Sequence, residues 1–123
     1  MQKKIRIIAE AGVNHNGDIN KIYKLINIAS KAKCDFVKFQ ITNASLISKY
    51  APKANYQMIT TDKKETQHEM IKKLEFDWDR LHPKLVNYCK TKNINFLTSA
   101  FDESALKQVD KLKLRLFKVP SGE

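Results

Sequence analysis

Four short apolar runs constrain the fold of this chain more than any other feature. They cover 5–9, 35–41, 94–100 and 114–123, and each delivers polar or charged groups at its C-terminal end. The groups are Glu10 after the first, Lys38 and Gln40 in the second, Thr98 and Ser99 in the third, and Lys118, Ser121 and Glu123 in the fourth. Segments with helical spacing separate the runs. Alternation of this kind argues for parallel strands joined by right-handed crossovers. In such sheets ligands sit at the C-terminal ends of the strands. The expected fold is therefore α/β, with the strand tips forming part of a (β/α) barrel mouth.

The first run, broken by Arg6, leads into Gly12, Asn14, His15, Asn16 and Gly17, which cannot easily continue a strand. Asp18 is an N-cap candidate for a helix over 18–33, with Ile19, Ile22, Leu25, Ile26, Ala29 and Ala32 at helical spacing. In the second run Lys38 stands among apolar neighbours. It reads either as a lysine snorkelling from an edge strand or as a cation aimed into a site. The polar connection 42–63 is long enough to be functional or disordered. Thr61 or Asp62 can cap a helix through Leu74, on which His68 is a surface or packing residue. Asp77 or Asp79 can cap a helix over 79–92, with Leu81, Leu85, Val86, Tyr88 and Cys89 on its inner face and Pro83 in its first turn. Phe101-Asp102-Glu103 starts a helix through about Leu112, ahead of the last run, which reads as a fourth strand.

The chain has 123 residues and a formal net charge of +10, carried mostly by lysine, with Arg only at 6, 80 and 115. Readers of DNA bases lean on arginine, and these lysines are spread out rather than grouped with aromatics. The charge reads as a solvated lysine surface that also attracts anionic substrates, which argues against a nucleic-acid partner. Cys34 and Cys89 match no metal or redox spacing. They read as reduced thiols of a cytoplasmic protein. Arg6 and Glu10 interrupt the N-terminal apolar stretch too early for a secretion signal, and no run is long enough to span a membrane. Two lysines with nearby hydroxyls suit a ligand carrying phosphate and carboxylate groups.

Five ordered blocks then carry a family resemblance: IAEAGVNHNGD, DFVKFQ, APKANYQ…TQHEMIKKLE, NFLTSAFD and FKVPSGE. Together they resemble the N-acetylneuraminate (sialic acid) synthase family, whose relatives include synthases of legionaminic and pseudaminic acids and of spore-coat polysaccharide. The resemblance implies a TIM barrel that condenses phosphoenolpyruvate with an N-acyl hexosamine such as N-acetylmannosamine, forming a nonulosonic acid and releasing phosphate. It implies Lys38 and Lys118 as holders of the phosphoenolpyruvate anion, with hydrogen bonds from Ser99 and Ser121. It implies Gln40 as a contact to sugar or phosphoenolpyruvate, and Glu10 and Glu123 as acid–base or orienting groups. A divalent metal, Mn2+ or Mg2+, is implied for the full-length enzyme, with its histidine ligands beyond Glu123. A homodimer is implied as well.

Some residues depart from the family pattern. Thr98-Ser99-Ala100 replaces a Ser-Thr-Pro, and His68 stands where Tyr is common. Lys33 occupies a position often held by Gly, which places a non-Gly residue in left-handed backbone at a cost of about 1 kcal/mol. A complete barrel takes about 250 residues, so the expectation for 1–123 is the N-terminal half of the catalytic barrel. The second half-barrel and a small C-terminal antifreeze-like domain would lie outside it, and this piece alone would not turn over. Three other readings compete. One is a Schiff-base aldolase on the same fold, using Lys38 or Lys118. Another is a basic anion-binding module without catalysis, and the third is a half-barrel that dimerises.

Overall fold

The computed structural model describes residues 4–46, 48–62 and 64–121. Strands β1 (Ile8–Gly12), β2 (Phe36–Gln40) and β3 (Asn95–Ser99) form one parallel sheet in the order β1-β2-β3. Ile8 is level with Phe36 and Asn95, and Glu10 is level with Lys38 and Leu97. Parallel neighbours need crossovers, and helices supply them. α1 (Ile19–Lys31) links β1 to β2, α4 (Trp78–Thr91) precedes β3, and α5 (Glu103–Lys111) follows it.

Each long helix starts on an aspartate that accepts from the first turn. Asp18 accepts from the Asn20 amide at 2.8 Å, Asp77 from Arg80 at 3.3 Å, and Asp102 from Ala105 at 2.6 Å. Each also ends without glycine. Lys33, Asn93 and Lys113 have φ of 58°, 54° and 49°. After α1 the Cys34 amide donates to Ala29 O (3.1 Å) and the Lys33 amide to Ser30 O (2.9 Å); Ile94 and Asn93 repeat this after α4, donating to Cys89 O and Lys90 O. These are Schellman closures, which satisfy the last carbonyls of a helix. Lys33 thus adopts the left-handed conformation that its position suggests.

The core lies between one face of the sheet and α1, α4 and α5. Val37, Phe39 and Phe96 pack there with Ile22, Ile26, Leu85, Cys89 and Val109, all essentially removed from solvent. Phe39 and Phe96 stack at 5.9 Å between ring centroids.

Several boundaries differ from expectation. The fourth strand is reduced to a single parallel bridge between Ser99 and Lys118. Residues 114–121 have a sheet neighbour on one side only, and Leu116, Phe117 and Val119 remain exposed, so little burial rewards an extended ladder. The connection after β2 is partly helical, with a 3-10 turn at Ala44–Leu46 and α2 at Asn55–Thr60. The next helix is the short α3, Gln67–Lys72, capped by Thr66 rather than by Thr61 or Asp62. Thr66 Oγ1 accepts from the Glu69 amide at 3.2 Å, and Glu69 returns an acceptor to the Thr66 amide at 2.8 Å. This reciprocal capping box is written in the TQHE segment. Thr61 and Asp62 O instead receive the buried Lys53 ammonium, which also faces Glu65 at 3.4 Å. α4 begins at Trp78, so Pro83 sits in the second turn, not the first.

Candidate anion-binding site at the strand tips

Strand alternation puts residues two apart on the same face of a sheet. Glu10 and Lys38 are level with each other, Gln40 is level with Ser99, and Ser99 bridges to Lys118. One register therefore assigns Glu10, Lys38, Gln40, Ser99 and Lys118 to the face opposite the helices. Gln40 and Ser99 close the C-terminal ends of β2 and β3, whereas Glu10 and Lys38 stand at the middle of β1 and β2, because β1 runs on to Gly12 rather than ending at Glu10 as the sequence suggests.

Lys38 and Glu10 are brought into contact. The Lys38 ammonium lies 2.6 Å from Glu10 Oε2, with the lysine side chain 9% exposed and the glutamate 55% exposed. A mostly buried ammonium needs a compensating anion, and here a carboxylate open to solvent provides it. A ligand arriving from solvent can reach that pair from the carboxylate side. Ser99 is buried at the end of β3. Gln40, half-buried, lines a cavity of about 450 Å³ together with Thr42, Asn43, Leu46, Ile71 and Phe101. The cavity opens beside the tip of β2 and has room for a small anion or sugar fragment.

The rest of the expected set is not gathered with these side chains, although Lys118 shares their face. The Lys118 ammonium donates to Val119 O at 2.5 Å rather than to a side chain of the other strands. Ser121 is exposed past the end of the bridge, and Glu123 lies outside the described residues.

The loop after β1 is tightly built. Successive turns run from Asn14 N to Ala11 O (3.0 Å), Asn16 N to Val13 O (3.1 Å) and Asp18 N to His15 O (2.9 Å). Asn16 and Gly17 both have positive φ, 51° and 74°. A Cβ on Gly17 would come within 2.3 Å of Lys73 O, so only glycine fits there.

Sequence reasoning overlooked a second polar set, on the helix side of the sheet. His15 and His82 are buried, and the His15 ring packs against Phe76 and Trp78. Trp78 stacks on His82 at 4.9 Å. The Trp78–His82 spacing, four residues apart on the inner face of α4, is the signal that could have found this pair. Burial holds the His15 pKa below its usual value. It brings His82 down to about 4, with Asp79 opposing the shift. Burial also pushes the Cys89 thiol up to about 12, leaving it an unreactive thiol. Both cysteines are free.

Among the described residues no group of three or more His, Cys, Asp or Glu side chains is placed to hold a metal ion. The Glu10 carboxylate is taken up by Lys38. No described helix is long and apolar enough to cross a membrane.

Comparison with known proteins adds an independent line. The NeuB family profile matches residues 25–123. The chain is 49% identical to the N,N'-diacetyllegionaminic acid synthase of Campylobacter jejuni over 98% of its own length and 36% of that protein. It is 35% identical to the N-acetylneuraminate-9-phosphate synthase of Drosophila melanogaster, covering 97% of this chain and 32% of that one. The crystal structure of an N-acetylneuraminic acid (sialic acid) synthetase from Leptospira borgpetersenii, in complex with citrate, superposes with a TM-score of 0.71 at 27% identity, over 95% of this chain and 36% of that one. The chain spans about a third of the length of the curated relatives it matches. Its sheet and crossovers are the N-terminal part of a TIM-barrel architecture. On the profile match and these identities, this chain belongs to the NeuB family.

Proposed function

We propose that this chain supplies the phosphoenolpyruvate-binding part of a nonulosonic acid synthase. The reaction joins C3 of phosphoenolpyruvate to the aldehyde carbon of an open-chain N-acyl hexosamine. Water adds at C2, and the resulting tetrahedral centre expels inorganic phosphate by C–O cleavage. The product is a 2-keto sugar acid. The observation that carries the reading is the Lys38–Glu10 pair at 2.6 Å, with the ammonium buried and the carboxylate open.

In this reading Lys38 balances the charge of phosphoenolpyruvate, in competition with Glu10. Displaced from Lys38, Glu10 becomes a free carboxylate beside the reacting centre, suited to orient the incoming water or to take its proton. Ser99 donates to the ligand from β3, the strand beside Lys38. Gln40 faces the cavity that would receive the sugar or the enolpyruvyl group. Lys118, Ser121 and Glu123 complete the cradle when the fourth strand is fully paired. The acceptor sugar, the divalent metal, the homodimer and the cytoplasmic location belong to the same proposal. The similarity to a legionaminic acid synthase supports an N-acylated acceptor.

A chimera tests this reading. The chain replaces the matching first third of the C. jejuni synthase, and keto-acid formation is assayed with phosphoenolpyruvate. Turnover that is lost in Lys38→Ala is the expected result. A folded chimera that turns over equally well with Lys38→Ala would overturn it. The isolated 123-residue chain is expected to show no turnover. A Schiff-base aldolase would instead trap a carbonyl substrate on borohydride treatment.

A further inference from the structure

We infer that His15 is a positioning residue for the proposed reaction: it latches the loop after β1 to the 73–78 segment and so braces, from the helix side, the strand that carries Glu10. The inference rests on the functional reading above for its purpose, but its geometry stands alone. His15 Nδ1 accepts from the Gly17 amide at 3.0 Å. That bond requires an unprotonated Nδ1 and so places the proton of the neutral ring on Nε2. The ring itself is fully buried, 5.2 Å from Phe76 and 6.2 Å from Trp78 between centroids. Its Nε2 is buried with no partner among the described residues.

The same loop touches the same segment a second time. Gly17 lies so close to Lys73 O that a methyl group would not fit. Two contacts, one at Gly17 and one through the His15 ring, therefore tie residues 15–17 to residues 73–78. The loop follows the strand that carries Glu10, with only Ala11 to Asn14 between them and the histidine. The far segment leads through Leu74, whose carbonyl accepts from Thr42 Oγ1 at 3.1 Å, to the residues just past Gln40. His15 thus couples the element bearing Glu10 to the element bearing Lys38 and Gln40 from behind, without touching the ligand. A histidine serving only to fill the core would not need its Nδ1 turned onto a loop amide.

The test separates acceptor from ring. His15→Phe keeps the ring and removes the acceptor, whereas His15→Asn keeps an acceptor near the Nδ1 position and removes the ring. Three readouts are taken on the 123-residue chain: hydrogen exchange of the Gly17 amide, the 15N shifts of the His15 ring, and the dissociation constant for phosphoenolpyruvate. The unmodified chain is expected to show an unprotonated Nδ1. In His15→Phe, Gly17 exchange should speed up and phosphoenolpyruvate binding weaken, each by about fivefold or more. His15→Asn should restore Gly17 protection to within about twofold. A protonated Nδ1 in the unmodified chain would overturn the latch even if neither variant folds. So would unchanged Gly17 exchange in His15→Phe. If the unmodified chain takes up no phosphoenolpyruvate, the functional reading fails, while exchange and tautomer still decide the latch.

Discussion

The two faces of the sheet solve opposite problems. On the helix side Val37, Phe39 and Phe96 meet a closed apolar layer, and several polar atoms buried there have no partner among the described residues: His15 Nε2, His82 Nδ1 and Nε2, Trp78 Nε1 and Thr98 Oγ1. On the other side Lys38 is buried but paired, and its partner Glu10 stays in contact with water. The apolar packing on the helix side favours stability, and burial resists ionisation. The pairing on the other face keeps a charge ready to be exchanged for a ligand's charge. In the proposed function, stability and binding fall on different faces of the same three strands, and substitutions should separate them.

The largest effect is expected on the packed face. Phe39→Ala removes a fully buried ring stacked on Phe96 and should cost about 3–5 kcal/mol in a denaturant titration. The same titration on Lys38→Met should shift by less than about 1 kcal/mol, because Glu10 is left in solvent rather than stranded.

Acid comes next. His82 is held near 4 in the folded chain against an ordinary value of 6.5. The unfolded chain therefore binds the extra proton first as pH falls. The stability linked to this group is complete above about pH 6.5 and is lost as pH drops through about 4, a change on the order of 3 kcal/mol. His15, also lowered, adds in the same direction. Fluorescence of Trp78, the single tryptophan, reports the transition. Its midpoint should move toward lower pH in His82→Leu.

Gly17→Ala probes the join between the faces. With φ at 74° and a backbone carbonyl 2.3 Å from the new methyl, it should lower stability by about 2 kcal/mol. The smallest effect runs the other way. Lys33→Gly relieves a left-handed lysine at the end of α1 and should stabilise by about 1 kcal/mol, measurable as a small rise in Tm.

Much of this contrast could be read from the sequence, because it depends on local chemistry. Asp18 caps α1 as expected, Asp77 is one of the two caps offered for α4, Asp102 lies in the stretch expected to start α5, and Lys33 takes the left-handed position that a missing glycine implied. The alternation of Lys38 and Gln40 with Phe39 is likewise a two-residue period visible in the letters, whereas the register that sets Glu10 and Ser99 beside them comes from the strand pairing. What escaped depends on contacts distant in sequence. Lys53 looks like any surface lysine until Thr61, Asp62 and Glu65 fold around it. The tail 114–121 has the composition of a strand, but a strand forms only to the extent that neighbours pair with it, and one bridge is what β3 alone provides. The missed start of α3 had a signal, the Thr66–Glu69 box, that Thr61 and Asp62 obscured by offering caps one turn earlier.

The central claim is that an incoming anion takes over the Lys38 ammonium at the strand tips. Titrating the 15N-labelled chain with phosphoenolpyruvate tests it most directly. Saturable shifts are predicted for the amides of Glu10, Lys38, Gln40 and Ser99, absent in a folded Lys38→Met variant. Equal binding by that variant, or shifts confined to the lysine-rich helix surfaces, would contradict the account.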